Sequence, residues 1–168
     1  MRLILLSVPL ALLAGCMTND DWERGDGQSV ALVDGTGKSI GWVEMSPRAG
    51  GTYLRIAAEG LAPGDHGIHL HAVGRCEGPA FQSAGGHWNP EGRQHGHLNP
   101  QGQHQGDLPN ITVSANGRGT TGFLVSKHDM GDADGTSLVI HAKPDDYKTD
   151  PSGNSGDRNA CAVLTAAA

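Results

Sequence analysis

The feature that most limits how this chain can fold is a set of eight short β-patterned runs with no helical periodicity anywhere between them. The runs cover residues 29–33, 39–45, 53–57, 67–73, 111–114, 120–125, 138–142 and 162–165. Leu54 and Ile56 alternate with polar neighbours, the period of two that a half-buried strand imposes. Asp34-Gly35-Thr36-Gly37 and Asn116-Gly117 separate adjacent runs and read as hairpin turns, where these residue types tolerate positive φ. With 26 glycines and 9 prolines, the chain reads as an all-β sandwich or barrel rich in loops. Two segments, 74–110 and 143–160, are long, polar and glycine-rich. A compact domain rarely keeps such loops unless they build a site. No internal repeat and no second domain is visible.

The first residues read as a leader. Arg2 gives a positive start and residues 3–13 are apolar, about the length of a signal-peptide core and too short to span a bilayer. Leu13-Ala14-Gly15-Cys16 follows directly and resembles the bacterial lipoprotein box, in which Cys16 is lipidated and becomes the new N-terminus. The alternative is an ordinary signal peptide cut near Gly15. The expected organisation is a signal peptide over 1–15, a lipidated N-terminus and polar tether over 16–27, and one domain over 28–168. That domain is large enough for a core of its own. Removing Arg2 leaves 11 of the 12 basic residues against 18 acidic ones, a net charge of about −7, which argues against nucleic acid as a partner. Membrane contact is expected only through the lipid on Cys16. The location expected is the bacterial periplasm. Met17, where inner-membrane lipoproteins often carry aspartate, points to the outer membrane. With Cys16 lipidated, Cys76 and Cys161 are left as a pair, either bridged or two buried thiols.

Nine histidines are a high count for 168 residues, and neutral imidazole is the usual ligand for copper and zinc. In Gly67-Ile68-His69-Leu70-His71 the strand period puts His69 and His71 on one face and Ile68 and Leu70 on the other. Two imidazoles so placed can chelate one ion, and His141 ends another apolar run. Together with His87 they make four imidazoles, a set suited to Cu(II). His87, His95, His104 and Asp107 match a closed tetrahedral zinc site. The spacing suggests two metals.

The strings His66-Gly67-Ile68-His69-Leu70-His71, Ser83 to Pro90, His95-Gly96, His104-Gln105-Gly106-Asp107-Leu108, Val139-Ile140-His141 and Gly156-Asp157-Arg158-Asn159-Ala160-Cys161 resemble copper/zinc superoxide dismutase. The loop with Asp145-Asp146-Tyr147-Lys148 looks like the bacterial periplasmic branch. The resemblance implies an eight-stranded antiparallel Greek-key sandwich or barrel with two long functional loops, one copper and one zinc per chain, and superoxide as substrate. It assigns His69, His71, His87 and His141 to copper, and His87, His95, His104 and Asp107 to zinc. His87 bridges the two. Cys76 and Cys161 form the disulfide, Arg158 and His87 serve catalysis, and Asp145 links a copper ligand to a zinc ligand. Family members include monomers and dimers, so a homodimer is one expectation.

Lys127, Lys143 and Lys148 are candidates for attracting an anion to an acidic protein. His66 reads as structural, bonding backbone near the disulfide loop, and His97 and His128 as surface residues. Asn159 and Ala162 depart from the family pattern beside Arg158 and bear on the guanidinium pose. Two other readings make different demands on the residues. A metal store or chaperone of the same fold would have lost ligands or the arginine. A zinc hydrolase needs an open zinc position, which four protein ligands do not leave.

Overall fold

A computed structural model describes residues 27–126, 130 and 133–168. The leader, Cys16, the tether up to Asp26, Lys127 and His128 lie outside the described residues. Eight strands run β1 (Gln28–Asp34), β2 (Ser39–Arg48), β3 (Gly51–Glu59), β4 (Gly64–His71), β5 (Asp107–Val113), β6 (Arg118–Ser126), β7 (Thr136–His141) and β8 (Arg158–Thr165). All pairings are antiparallel, in the order β5-β4-β7-β8-β1-β2-β3-β6. Strand β6 packs back against β5, so the sheet is a nearly closed barrel. The connections from β3 to β4 and from β6 to β7 each pass over two strands, the Greek-key crossing.

Alternation explains the core. Leu32, Val43, Leu54, Ile56, Ile68, Leu70, Ile111, Leu138 and Ile140 are fully buried inside the barrel. Each contributes roughly 1.5–3 kcal/mol through removal of apolar surface from water. Strands β4 and β7 are buried on their outer faces too, because the loops cover them. Under that cover Phe81, Ala84, Val139 and Cys161 form a second, smaller cluster.

The two long loops span 72–106 and 142–157. Both are shorter than the sequence suggested, because β5 opens on Asp107 and β8 on Arg158, polar residues that hid the strand starts. Strand β4 ends at His71 rather than Val73 because the first loop turns back on it. Ala72 N donates to Gly86 O at 2.9 Å and Val73 N to Ala84 O at 3.1 Å. A disulfide joins Cys76 in this loop to Cys161 in β8, across 85 residues of sequence. Closing so long a loop stabilises the fold by about 4–5 kcal/mol on chain-entropy grounds.

Candidate metal centre

Strand β4 carries His69 and His71 outward, opposite the core residues Ile68 and Leu70. His141 ends the neighbouring strand β7, and an isolated bridge to His71 brings His87 in from the first loop. One ring nitrogen from each of these four histidines lies within 4.8 Å of the others. His69 Nδ1, His71 Nε2, His87 Nε2 and His141 Nε2 are buried and have no hydrogen-bond partner among the described residues.

The second nitrogen of each ring explains why. His71 Nδ1 donates to Gly85 O at 3.0 Å and His141 Nδ1 to Gly156 O at 3.1 Å. His69 Nε2 faces Asp145 Oδ2 at 2.7 Å, and His87 Nδ1 faces Asp107 Oδ1 at 3.0 Å. For His69, His71 and His141 the outer partner fixes a tautomer, and each of the four rings keeps one nitrogen aimed at a shared point. A buried nitrogen lone pair without a partner is costly, and four together are the signature of a cation site. The donors are all imidazole, which suits copper.

Strand β5 opens on Asp107 and holds the second set. Asp107 Oδ1 lies 3.0 Å from His87 Nδ1, 2.9 Å from His95 Nδ1 and 3.1 Å from His104 Nδ1. Its other oxygen, Oδ2, accepts from Gly96 N at 2.9 Å and His104 N at 3.0 Å, which aims Oδ1 into the site. Three Nδ1 atoms and one carboxylate oxygen converge as a closed zinc site requires. His69 also has a ring nitrogen within 4.8 Å of this group, but its Nε2 is taken by Asp145. His104 is the better fourth member, with Nδ1 at 3.4 Å from His87 Nδ1. His87 thus contributes Nε2 to one set and Nδ1 to the other.

Asp145 ties the sets together, with Oδ2 on His69 Nε2 and Oδ1 at 2.9 Å from His95 Nε2. Gly153, at φ +63°, makes room for it: a side chain there would overlap Asp145 Oδ1 and His95 Nε2.

Charge follows burial. Burial pushes His69 down to about 3 and His141 to about 4, and lowers His71 and His87, so the first set is neutral and ready to ligate at neutral pH. Burial works against a charged His95, but Asp107 and Asp145 outweigh it and raise His95 to about 9. Burial likewise opposes ionised Asp107 and Asp145, but histidine partners hold both carboxyls well below the usual range. His69 and His141 have folded-state values below their unfolded value of 6.5. Their contribution to stability is therefore present above pH 6.5 and lost as pH falls toward 3–4, because the unfolded chain takes up protons there. The metal-free domain is expected to lose stability progressively over that interval. Denaturant midpoints measured by circular dichroism across it check this, and a midpoint independent of pH between 7 and 4 would contradict it.

Arg158 opens β8 opposite His141. Its Nη1 donates to Phe81 O at 2.6 Å and its Nη2 to Gly85 O at 2.7 Å, the same carbonyl that holds His71. Pro79, Ala80, Gln82, Gly156, Asp157 and Arg158 line a cleft of about 290 Å³. A larger groove of about 630 Å³ touches His104 and Asp107 but neither Arg158 nor the other five histidines of the two sets.

The matching family model, described as copper/zinc superoxide dismutase, covers residues 39–164. The chain belongs to the copper/zinc superoxide dismutase family. Among its relatives, "Superoxide dismutase [Cu-Zn] 2" of Aquifex aeolicus is 41% identical over 142 residues, 79% of this chain and 83% of that protein. "Superoxide dismutase [Cu-Zn]" of Caulobacter vibrioides is 43% identical over 140 residues, 77% of this chain and 80% of that protein. The crystal structure of a SOD-like protein from Bacillus subtilis superposes with a TM-score of 0.77 at 40% identity, covering 82% of this chain and 99% of that one.

The structure of this family member brings its seven ligand candidates, Asp145 and Arg158 close together. With these two departures in place, Asn159 and Ala162, the guanidinium bonds Phe81 O and Gly85 O. Ala162 points into the core opposite Leu138, and Asn159 is half-buried. His66 is structural, but not beside the disulfide loop: its ring nitrogens meet Ala62 O at 2.8 Å and His141 O at 2.7 Å. His97 is exposed and lies against Tyr147, with ring centroids 4.4 Å apart. Lys143 is exposed and its stem runs beside Gly156, whose carbonyl holds His141. Sequence reasoning missed the partners that are backbone, Phe81 O, Gly85 O and Gly156 O, because every residue carries a carbonyl. It also missed Asn110, Tyr147 and Asp150. Asp150 Oδ1 accepts from His95 N at 2.7 Å.

Proposed function

We infer that this protein dismutates superoxide to dioxygen and hydrogen peroxide, using one copper and one zinc per chain. The observation that carries this reading is His87, buried with one ring nitrogen in each ligand set. His69, His71, His87 and His141 would hold copper, and His87, His95, His104 and Asp107 would hold zinc. Bound copper supplies one-electron oxidation and reduction, and zinc closed by four protein ligands supplies charge and geometry.

The chain's own groups do the rest. Arg158 presents a permanent positive charge at the cleft and orients a small anion. Lys143 adds positive potential near the same mouth, which an acidic protein needs in order to draw in an anion. His87 Nε2, the nitrogen facing the copper set, would take up and pass on one proton when not ligating, and a second comes from solvent. Two superoxide anions and two protons thus give one dioxygen and one hydrogen peroxide. Burial of the four rings keeps bulk water from competing with the anion.

The reading as a metal store is less well supported, because no ligand and no arginine has been lost. Dismutation by the purified domain, measured alongside copper and zinc per chain, tests the choice. One ion of each with fast turnover is expected. Both metals bound without turnover would transfer the protein to the storage reading.

The leader and lipobox support export to the bacterial periplasm, with attachment through a lipid on Cys16 to a membrane, and Met17 favours the outer one. The disulfide fits an oxidising compartment. Among the described residues no helix is long and apolar enough to cross a membrane. Incorporation of labelled fatty acid that persists in Cys16→Ser would overturn the anchor. A homodimer rests on the resemblance alone, and sedimentation decides it.

A further inference from the structure

Asp145 holds a ring from each metal set, yet it sits in a loop and belongs to no strand. The hydrogen bonds around it show what fixes it. Asp145 N donates to Asn110 Oδ1 at 2.9 Å, and Asn110 Nδ2 donates to Asp145 O at 3.1 Å. One side-chain amide therefore satisfies both backbone groups of Asp145, as a paired strand would. Asn110 lies in β5 just past Asp107, where the β4–β5 register slips between His66 and Ile68. Its own N–H does not join the ladder to β4. It donates instead to the Tyr147 hydroxyl at 2.7 Å.

Tyr147 closes the circuit. Its N–H donates to Asp145 Oδ1 at 2.6 Å, and its carbonyl accepts from Leu98 N at 2.9 Å in the first loop. Its backbone is at φ +60°, a conformation unusual for a bulky side chain, and these contacts hold it there. The same Asp145 oxygen that takes Tyr147 N also takes His95 Nε2. Strand β5 therefore carries a ligand, Asp107, and, through Asn110 and Tyr147, the alignment of the carboxylate behind another ligand.

We propose that the Tyr147 hydroxyl and the Asn110 carboxamide are positioning groups for Asp145, and that through it they set the affinity of this protein for zinc. This rests on the reading that His87, His95, His104 and Asp107 hold zinc. Loss of an outer partner of a metal ligand weakens binding roughly 10- to 100-fold. Tyr147 and Asn110 stand one step further out, so about 3- to 10-fold is expected for Tyr147→Phe. Asn110→Ala removes both bonds to Asp145 and is expected to lie nearer the upper end.

The test is zinc affinity of metal-free protein, read by competition with a chromophoric chelator. Tyr147→Phe, Asn110→Ala, Asp145→Asn and the double variant Tyr147→Phe with Asp145→Asn are compared with Tyr53→Phe, a hydroxyl deletion on the outer face of β3. Tyr147→Phe should weaken zinc binding, whereas Tyr53→Phe should leave it unchanged. In the Asp145→Asn background Tyr147→Phe should have no further effect, because the hydroxyl acts only through that carboxylate. Unchanged zinc affinity in Tyr147→Phe, or an equal loss with and without Asp145, would overturn the proposal. If Asn110→Ala does not fold, the Tyr147 and Asp145 cycle decides alone. A zinc affinity indifferent to His104→Ala would instead overturn the zinc-site reading itself.

Discussion

His141→Ala is expected to abolish copper binding and dismutation while zinc stays in place. His141 Nε2 belongs to the copper set alone, and its Nδ1 bonds the Gly156 carbonyl. Among the described residues no hydrogen bond joins that ring to the zinc set, and its Nδ1 partner is a backbone carbonyl. The fold should survive, because the hydrogen bond from His66 reaches the backbone oxygen of residue 141 and alanine keeps it. Three imidazoles would remain, too few for the four-nitrogen set this copper site offers. Metal analysis per chain and a dismutation assay on the same sample read both outcomes. Undiminished activity in a copper-loaded variant would remove His141 from the site.

Arg158→Ala is expected to keep both metals and lower kcat/KM about 10- to 150-fold. That range follows from about 1.5–3 kcal/mol for a hydrogen bond to a charged partner. The arginine touches no ligand nitrogen directly. It shares the Gly85 carbonyl with His71, and His71 Nδ1 keeps its bond there when the guanidinium is gone. Arg158→Lys should recover part of the loss, since it restores charge without the two-pronged fork. Steady-state kinetics at low and high ionic strength separate capture from chemistry, because capture weakens as salt screens the charge. Loss of copper from Arg158→Ala would make the residue structural.

The barrel was legible because its inner residues are apolar at every second position, as in Leu54 and Ile56 or Leu138 and Ile140. Strand starts were less legible wherever function placed polar residues. β5 opens on a ligand, Asp107, and β8 on Arg158, so both read as loop. The candidate ligands stood out because metal binding tolerates few residue types in few spacings. Their supports did not. Phe81 acts through a carbonyl, and Asn110 acts through an amide that could as well have met solvent. Their roles depend on which segments the barrel brings together, as when β5 meets the second loop. His66 shows the same limit: its backbone-bonding role was foreseeable, but its partners at Ala62 and His141 were set by the packing of β4 against β7.

The setting of Arg158 has a consequence for the timing of capture. The carbonyls of Phe81 and Gly85 lie in the loop that the disulfide pins to β8, and Arg158 stands three residues from Cys161 on that strand. Donor and acceptors are therefore fastened to one another before any anion arrives, and the ordering entropy of the guanidinium is spent during folding. An incoming anion meets a finished receptor. The guanidinium has no rotamer left to find, so the interval between collision and productive contact is short.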